Sequence, residues 1–348
     1  MKAILKTGRE QGLELKDIPI PRPDKKSVLV KIKAAAICGS DLRIYRWDPS
    51  LVRSIKTMPV VPGHECSGEV IEIGEEVEHI KVGDKVAAET HISCGKCWQC
   101  LHGRPHTCEN VVLYGYGING CFAEYSVIPE VATRKIPEKI PFEQGCLLEP
   151  MGIPFRAVER ADVSGDVVVV LGCGPIGQFA IAFSRVMGAE IIMAVDTNEK
   201  RLNIAHRMGA DYLIDPKKET PAERVRQIAE KHGGGAGAVI EASGSISALK
   251  EAFQYLRVGG KILVVGQSYE LLNLTPSPDI VLKETEVVGF WGRRIWDTWE
   301  KTEKILASGQ LDVNPVITHR FPLSGFQEAF NTLLEGEGCK VLFIPGMD

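Results

Sequence analysis

Residues 167–177 read Val167-Val168-Val169-Val170-Leu171-Gly172-Cys173-Gly174-Pro175-Ile176-Gly177. The five leading apolar residues suit a strand buried on both faces. The uncharged run extends from 167 to 184, but Gly172, Gly174, Pro175, Gly177 and Gln178 interrupt its middle, so it does not read as a membrane span. From 177 to 187 the apolar residues recur with helical spacing. Strand, glycine turn and helix therefore follow one another directly. In that context the spacing G-x-G-x-x-G has a physical meaning. Gly172 permits the tight turn, Gly174 lets the backbone approach a pyrophosphate, and Gly177 lets helix and strand pack closely. With Pro175 and Ile176 these glycines set the helix N-terminus, and its exposed N–H groups, against phosphates. A merely structural glycine turn is the bland alternative, and the flanking strand and helix argue against it.

The pattern continues outward from this turn. Residues 191–195 form a second apolar strand that ends at Asp196, 19 residues after Gly177. A carboxylate there accepts hydrogen bonds from both ribose hydroxyls and repels a 2′-phosphate, which favours NAD over NADP. Arg201 leaves some tolerance of NADP open. Helical patterns at 200–208, 222–232 and 246–256 alternate with strand patterns at 238–241 and 261–266. That alternation predicts an α/β Rossmann domain, a doubly wound parallel sheet. Glu241-Ala242-Ser243-Gly244 follows one of those strands, so Ser243 is a candidate cofactor contact; an ordinary strand-to-helix turn is an equal alternative.

Before residue 150 the pattern is β-rich. Residues 28–35 (VLVKIKAA), 68–73 (GEVIEI) and 120–127 (GCFAEYSV) read as strands separated by Pro and Gly turns. After residue 291 come a helix at 296–307, a loop with Pro315, a helix at 326–334 and a strand at 340–344. The expected organisation is thus a β-rich domain over 1–151 with a lobe at about 89–110, the nucleotide domain over 152–290, and a C-terminal segment over 291–348. The length of 348 residues fits two domains. A net charge of −4, with Lys and Arg scattered, points to neither nucleic acid nor a membrane surface. The N-terminus becomes charged at once and lacks a signal-peptide core. Of ten cysteines, four cluster, Cys38 is assigned below and the other five show no pairing pattern; free thiols and thiolate metal ligands fit a reducing cytoplasm.

Four of those cysteines lie in CGKCWQCLHGRPHTC: Cys94, Cys97, Cys100 and Cys108. Four thiolates close a tetrahedral shell around Zn²⁺, and a closed shell is structural. A second, open site is expected elsewhere. Cys38 lies in Ala36-Ile37-Cys38-Gly39-Ser40-Asp41, His64 and Glu65 in Pro62-Gly63-His64-Glu65, and Glu149 in Leu147-Leu148-Glu149-Pro150. Singly, each is more often a core or loop residue. Together a thiolate, an imidazole and a carboxylate make a mixed Zn²⁺ shell with one open position. Such an ion acidifies an alcohol hydroxyl as a Lewis acid, and a nicotinamide then accepts hydride. Ser40 is placed to pass the proton outward. Asp41 is a candidate acceptor for the His64 ring N–H.

These motifs, in this order and over nearly the whole length, resemble the zinc-dependent medium-chain dehydrogenases. Three segments resemble the threonine-dehydrogenase branch in particular: Glu89-Thr90-His91-Ile92, Ile44-Tyr45-Arg46-Trp47, and Gly292-Arg293-Arg294-Ile295-Trp296-Asp297-Thr298-Trp299. The resemblance implies a GroES-like catalytic domain beside the Rossmann domain, with the tail returning to the catalytic domain. It implies a catalytic zinc at Cys38, His64 and Glu149, with Glu65 as ligand or close neighbour, and a structural zinc on the four cysteines. It also implies a role for His91 near the substrate, a homotetramer, and oxidation of L-threonine to 2-amino-3-oxobutanoate. Two positions depart from the pattern. Arg43 stands where the branch carries a relay histidine, and Ile153 where it carries an asparagine beside the nicotinamide. They keep open a sugar alcohol or butane-2,3-diol as substrate. A non-catalytic nucleotide-binding scaffold is the third alternative, and the complete open metal set argues against it.

Overall fold

In the computed structural model, which describes residues 1–52 and 55–347, Val167–Leu171 is a strand buried throughout. It is the third of six parallel strands, between Ile191–Val195 and Ala236–Glu241. Tyr212–Ile214 lies beyond the first neighbour, and Leu256–Val264 and Glu286–Gly289 beyond the second. The chain thus winds one way and then the other from Val167–Leu171, and ligand crevices open at such a reversal. The helices Pro175–Val186, Glu199–Arg207, Pro221–Ile228 and Ile246–Tyr255 connect these strands. One apolar cluster of this unit joins Val169, Met193, Val239 and Ile262 of the strands to Leu249, Phe253 and Tyr255 of the last helix. Asn198 and Ser245 cap their helices by accepting from the N–H groups of Arg201 and Ala248.

A second sheet of seven strands is built mainly from the first part of the chain. Its order is Ile317–Phe321, Lys340–Phe343, Ser27–Ala36, Glu65–Ile73, Lys85–Ala88 and Thr133–Lys135, with Tyr125–Pro129 also pairing to Ser27–Ala36. The register sets Ala36 opposite both Glu65 and Leu342. One end of the central strand is thereby brought beside the start of one neighbour and a late strand of the sequence. Phe122 packs edge-on against Phe343, at 5.1 Å between ring centroids, in the core beneath. The chain divides into two compact units. One holds Met1–Glu149, Arg294–Ala307 and the stretch from Ile317; the other holds Pro150–Arg293 and Ser308–Val316.

Two helices carry no clear sequence signal. Gly39–Arg46 begins at a Gly-Ser pair that resembles a turn, yet Asp41, in its first turn, accepts from the Cys38 N–H at 2.8 Å and caps it. Leu148–Ala161 is disguised by Pro150 and Pro154. A proline in the first turn costs nothing, because that N–H has no intrahelical partner. Glu149, which alone reads as a loop end, therefore sits in the first turn of a helix. The strand expected at 120–127 begins only at Tyr125, and the strand expected from 261 already begins at Leu256, running through Gly259-Gly260.

Candidate metal centres and nucleotide site

Cys38, His64 and Glu65 meet at the end of the central strand pair. One ligand atom from each lies within 4.8 Å of the others. Cys38 N-caps the helix Gly39–Arg46, and Glu65 opens the strand Glu65–Ile73. His64 and Glu65 are buried, whereas Cys38 keeps partial exposure. Among the described residues, His64 Nδ1 and Glu65 Oε1 have no hydrogen-bond partner although both are buried. Buried polar atoms are rarely left so, and a cation supplies what two of these groups lack. The charge balance agrees. Burial opposes a charged His64 ring, but Asp41, Cys38 and Glu149 outweigh it and push its pKa up to about 10. Acidic groups thus crowd the imidazole, which fits a cation at this site.

The neighbours of the cluster are specific. Lys340 Nζ donates to Glu65 Oε2 and, at 3.1 Å, to the Ile37 carbonyl. Both members of that ion pair are buried. Glu149 is not within the 4.8 Å group; its Oε1 accepts from the Thr90 hydroxyl, while its charge acts on both His64 and Glu65. Asp41 Oδ1 lies 3.8 Å from His64 Nδ1, too far for the expected hydrogen bond, because the other oxygen is held by the Cys38 N–H. Ser40 accepts from the hydroxyl of Tyr116, whose ring packs 5.1 Å from His64. Tyr116 escaped the sequence reading, since nothing in Tyr114-Gly115-Tyr116 signals proximity to Cys38.

Cys94, Cys97, Cys100 and Cys108 also bring their sulfurs within 4.8 Å of one another. Their environments are unequal. The backbone N–H of Lys96 leads in bringing Cys94 down to about 6, whereas burial pushes Cys108 up to about 12. A metal ion held by all four keeps each as thiolate. Just before this lobe, His91 Nδ1 lies 2.9 Å from Glu89 Oε1, which also accepts from the His91 backbone N–H at 2.8 Å. The other oxygen of Glu89 accepts from Trp299 Nε1 at 2.8 Å. Two of the three segments behind the family resemblance are therefore joined directly, a link that spacing alone does not show.

In the six-stranded unit the glycine turn has the expected form. Gly172 adopts φ +86°, and a Cβ there would meet Ser243 Cα at 2.7 Å. A Cβ on Gly177 would meet the Gly172 carbonyl at 1.8 Å, whereas one on Gly174 would meet nothing within 4 Å. The middle glycine thus keeps ligand-side space clear while its companions tighten the turn. Gly174 caps a helix whose first residues are Pro175 and Ile176. Asp196 pins the turn, accepting from the N–H groups of Cys173 at 2.6 Å and Asn198 at 2.8 Å. A cavity of about 470 Å³ beside the turn is lined by Gly172, Gly174, Asp196, Arg201, Ser243 and Tyr255, among others. Ser243 faces it with its hydroxyl already donated to Glu241.

The chain is 40% identical, over 99% of its length and 99% of the relative's, to an L-threonine 3-dehydrogenase of Bacillus licheniformis. It belongs to the zinc-binding, medium-chain alcohol dehydrogenases. Residues 24–138 match the alcohol dehydrogenase GroES-like domain, and residues 175–308 the zinc-binding dehydrogenase family. The (2R,3R)-butanediol dehydrogenase of Bacillus subtilis superimposes with a TM-score of 0.89 at 31% identity, covering 99% of both chains. An alcohol dehydrogenase from Escherichia coli complexed with NADH does so with a TM-score of 0.88 at 29% identity, again covering 99% of each. This zinc-binding dehydrogenase is accordingly an oxidoreductase with a GroES-like domain and a Rossmann domain. No helix among its described residues is long and apolar enough to cross a membrane.

Proposed function

We propose that this dehydrogenase oxidises the 3-hydroxyl of L-threonine to 2-amino-3-oxobutanoate with NAD as the acceptor. The chemistry is supported above all by the cluster of Cys38, His64 and Glu65, with its unpartnered imidazole and carboxylate atoms. The substrate is supported by the full-length similarity to a threonine dehydrogenase. Cys38, His64 and one of the carboxylates Glu65 and Glu149 hold the catalytic zinc, and the four lobe cysteines hold the structural one. When bound, zinc supplies Lewis acidity to the substrate hydroxyl and the nicotinamide takes up the hydride. Ser40 receives the hydroxyl proton, oriented by its hydrogen bond from Tyr116. Asp41 holds Cys38 through its backbone and stands beside the His64 ring at 3.8 Å. His91, fixed by Glu89, contacts the substrate. Gly172, Gly174 and Gly177, with the helix start at Pro175 and Ile176, receive the pyrophosphate. Asp196 receives the ribose, and Arg201 and Ser243 border the nucleotide.

A diol or polyol is the second reading, and one observation favours it. Arg43, at the position of the branch's relay histidine, lies 3.8 Å from Asp48, an ion-pair contact that turns it to another task. Ten free thiols suit a reducing cytoplasm, and we take the working form to be a homotetramer. NADH formation with L-threonine, butane-2,3-diol and sorbitol in parallel, with and without a zinc chelator, tests the assignment. Chelator-sensitive turnover fastest on threonine is expected. Turnover confined to a diol or polyol would replace the substrate, and none on any would overturn the reading.

A further inference from the structure

Gln178 follows the last glycine of the turn directly, and no part of the dinucleotide motif accounts for it. It is the fourth residue of the helix Pro175–Val186 and is 0% exposed. Helical side chains lean back toward the helix N-terminus, so this amide reaches beneath the turn. Its Nε2 donates to the carbonyls of Cys173 and Arg201, both at 2.8 Å. Both amide hydrogens are thus used. With two carbonyls to face, the nitrogen and not the oxygen must lie there. The arrangement has a cost, because Gln178 Oε1 is buried with no hydrogen-bond partner among the described residues. An apolar side chain would fill this position without that cost, so the amide is explained by the carbonyls it holds.

The Cys173 carbonyl belongs to the peptide that joins Cys173 to Gly174. That peptide is trans and planar, so its C=O and N–H point in opposite directions. A carbonyl drawn onto the buried amide therefore turns the Gly174 N–H away from Gln178. Gly174 lines the cavity beside the turn, and its N–H has no hydrogen-bond partner among the described residues. Pro175, next in the chain, has no N–H to offer, so the Gly174 donor counts for more. Glycine also leaves that donor insecure. Reversing the peptide would carry φ of Gly174 from −66° to positive values, which glycine tolerates and other residues resist. We propose that Gln178 is a positioning residue for the cofactor, locking the Cys173–Gly174 peptide with its N–H toward the pyrophosphate. This role rests on the NAD-dependent reading given above. It adds to the phosphate site a side chain that orients a donor without touching the ligand.

Binding measurements on the full-length, zinc-loaded protein test this. NADH is titrated by its fluorescence and then displaced with ADP or with adenosine, which share base and ribose but differ in the diphosphate. Gln178→Met keeps the bulk and removes the donor. NADH and ADP are expected to bind this variant about threefold to tenfold more weakly, the equivalent of one hydrogen bond. Adenosine is expected to bind both proteins equally, a contrast that a general loosening of the fold would not produce. Unchanged ADP affinity, or equal losses for ADP and adenosine, overturns the lock alone. Wild-type protein that binds no NADH overturns the NAD-dependent reading and this role together. Gln178→Leu carries the same expectations should the Met variant not fold.

Discussion

Trp299 Nε1 donates a 2.8 Å hydrogen bond to Glu89 Oε2, and the same carboxylate holds His91 through its other oxygen. Glu89 and Trp299 are both buried. The histidine's orientation therefore depends on a tryptophan 208 positions later in the sequence. Trp299→Phe keeps the ring packing and removes the donor. We expect a stability loss of about 1–3 kcal/mol, the cost of a buried carboxylate oxygen stripped of a partner. Urea denaturation measures it. A midpoint equal to wild type would mean that Glu89 does not need the indole.

Cys38→Ala is expected to lower the zinc content from about two ions per chain to about one and to abolish turnover, while leaving NADH binding intact. Metal analysis and fluorescence titration read these separately. A variant that keeps both ions, or keeps turnover, would remove Cys38 from the metal shell.

In the metal-free protein Lys340→Met should be severe, because it removes the cation paired with the buried Glu65 carboxylate. A loss of about 3–5 kcal/mol is expected. Adding Glu65→Gln to the same chain should recover much of that loss, since the uncompensated charge is then gone. Additive losses in the double variant would show that the two side chains act independently.

Asp196→Ala is expected to shift the cofactor preference toward NADP, since the carboxylate that repels a 2′-phosphate is removed. It should also loosen the turn, because the Cys173 and Asn198 N–H groups lose their acceptor. Steady-state rates with both cofactors measure the ratio. An unchanged ratio would leave Asp196 a purely structural role.

The nucleotide half was legible because its signals are local. The glycine spacing, the apolar strand before it and Asp196 after it all act within one strand–helix–strand unit, and each stands where it was expected. The four lobe cysteines were legible for the same reason. Tyr116, Lys340 and Trp299 were not, because each acts across a long separation that only sheet register and helix packing determine. Glu149 lay between these cases: its residue type was informative, but Pro150 hid the helix that carries it. Asp41 shows how one carboxylate can serve two neighbours. Its capping bond to Cys38 had no signal in the sequence, and with that oxygen so engaged its contact with His64 stays at 3.8 Å.

The pairing of Lys340 with Glu65 also orders events during synthesis. Glu65 leaves the ribosome 275 residues before its counter-charge, with the whole nucleotide unit translated in between. A nascent chain that has already made Cys38, His64 and Glu65 still lacks the strand that neutralises and seats the carboxylate. The buried ion pair at this centre is therefore completed only when the last strand of the chain is in place.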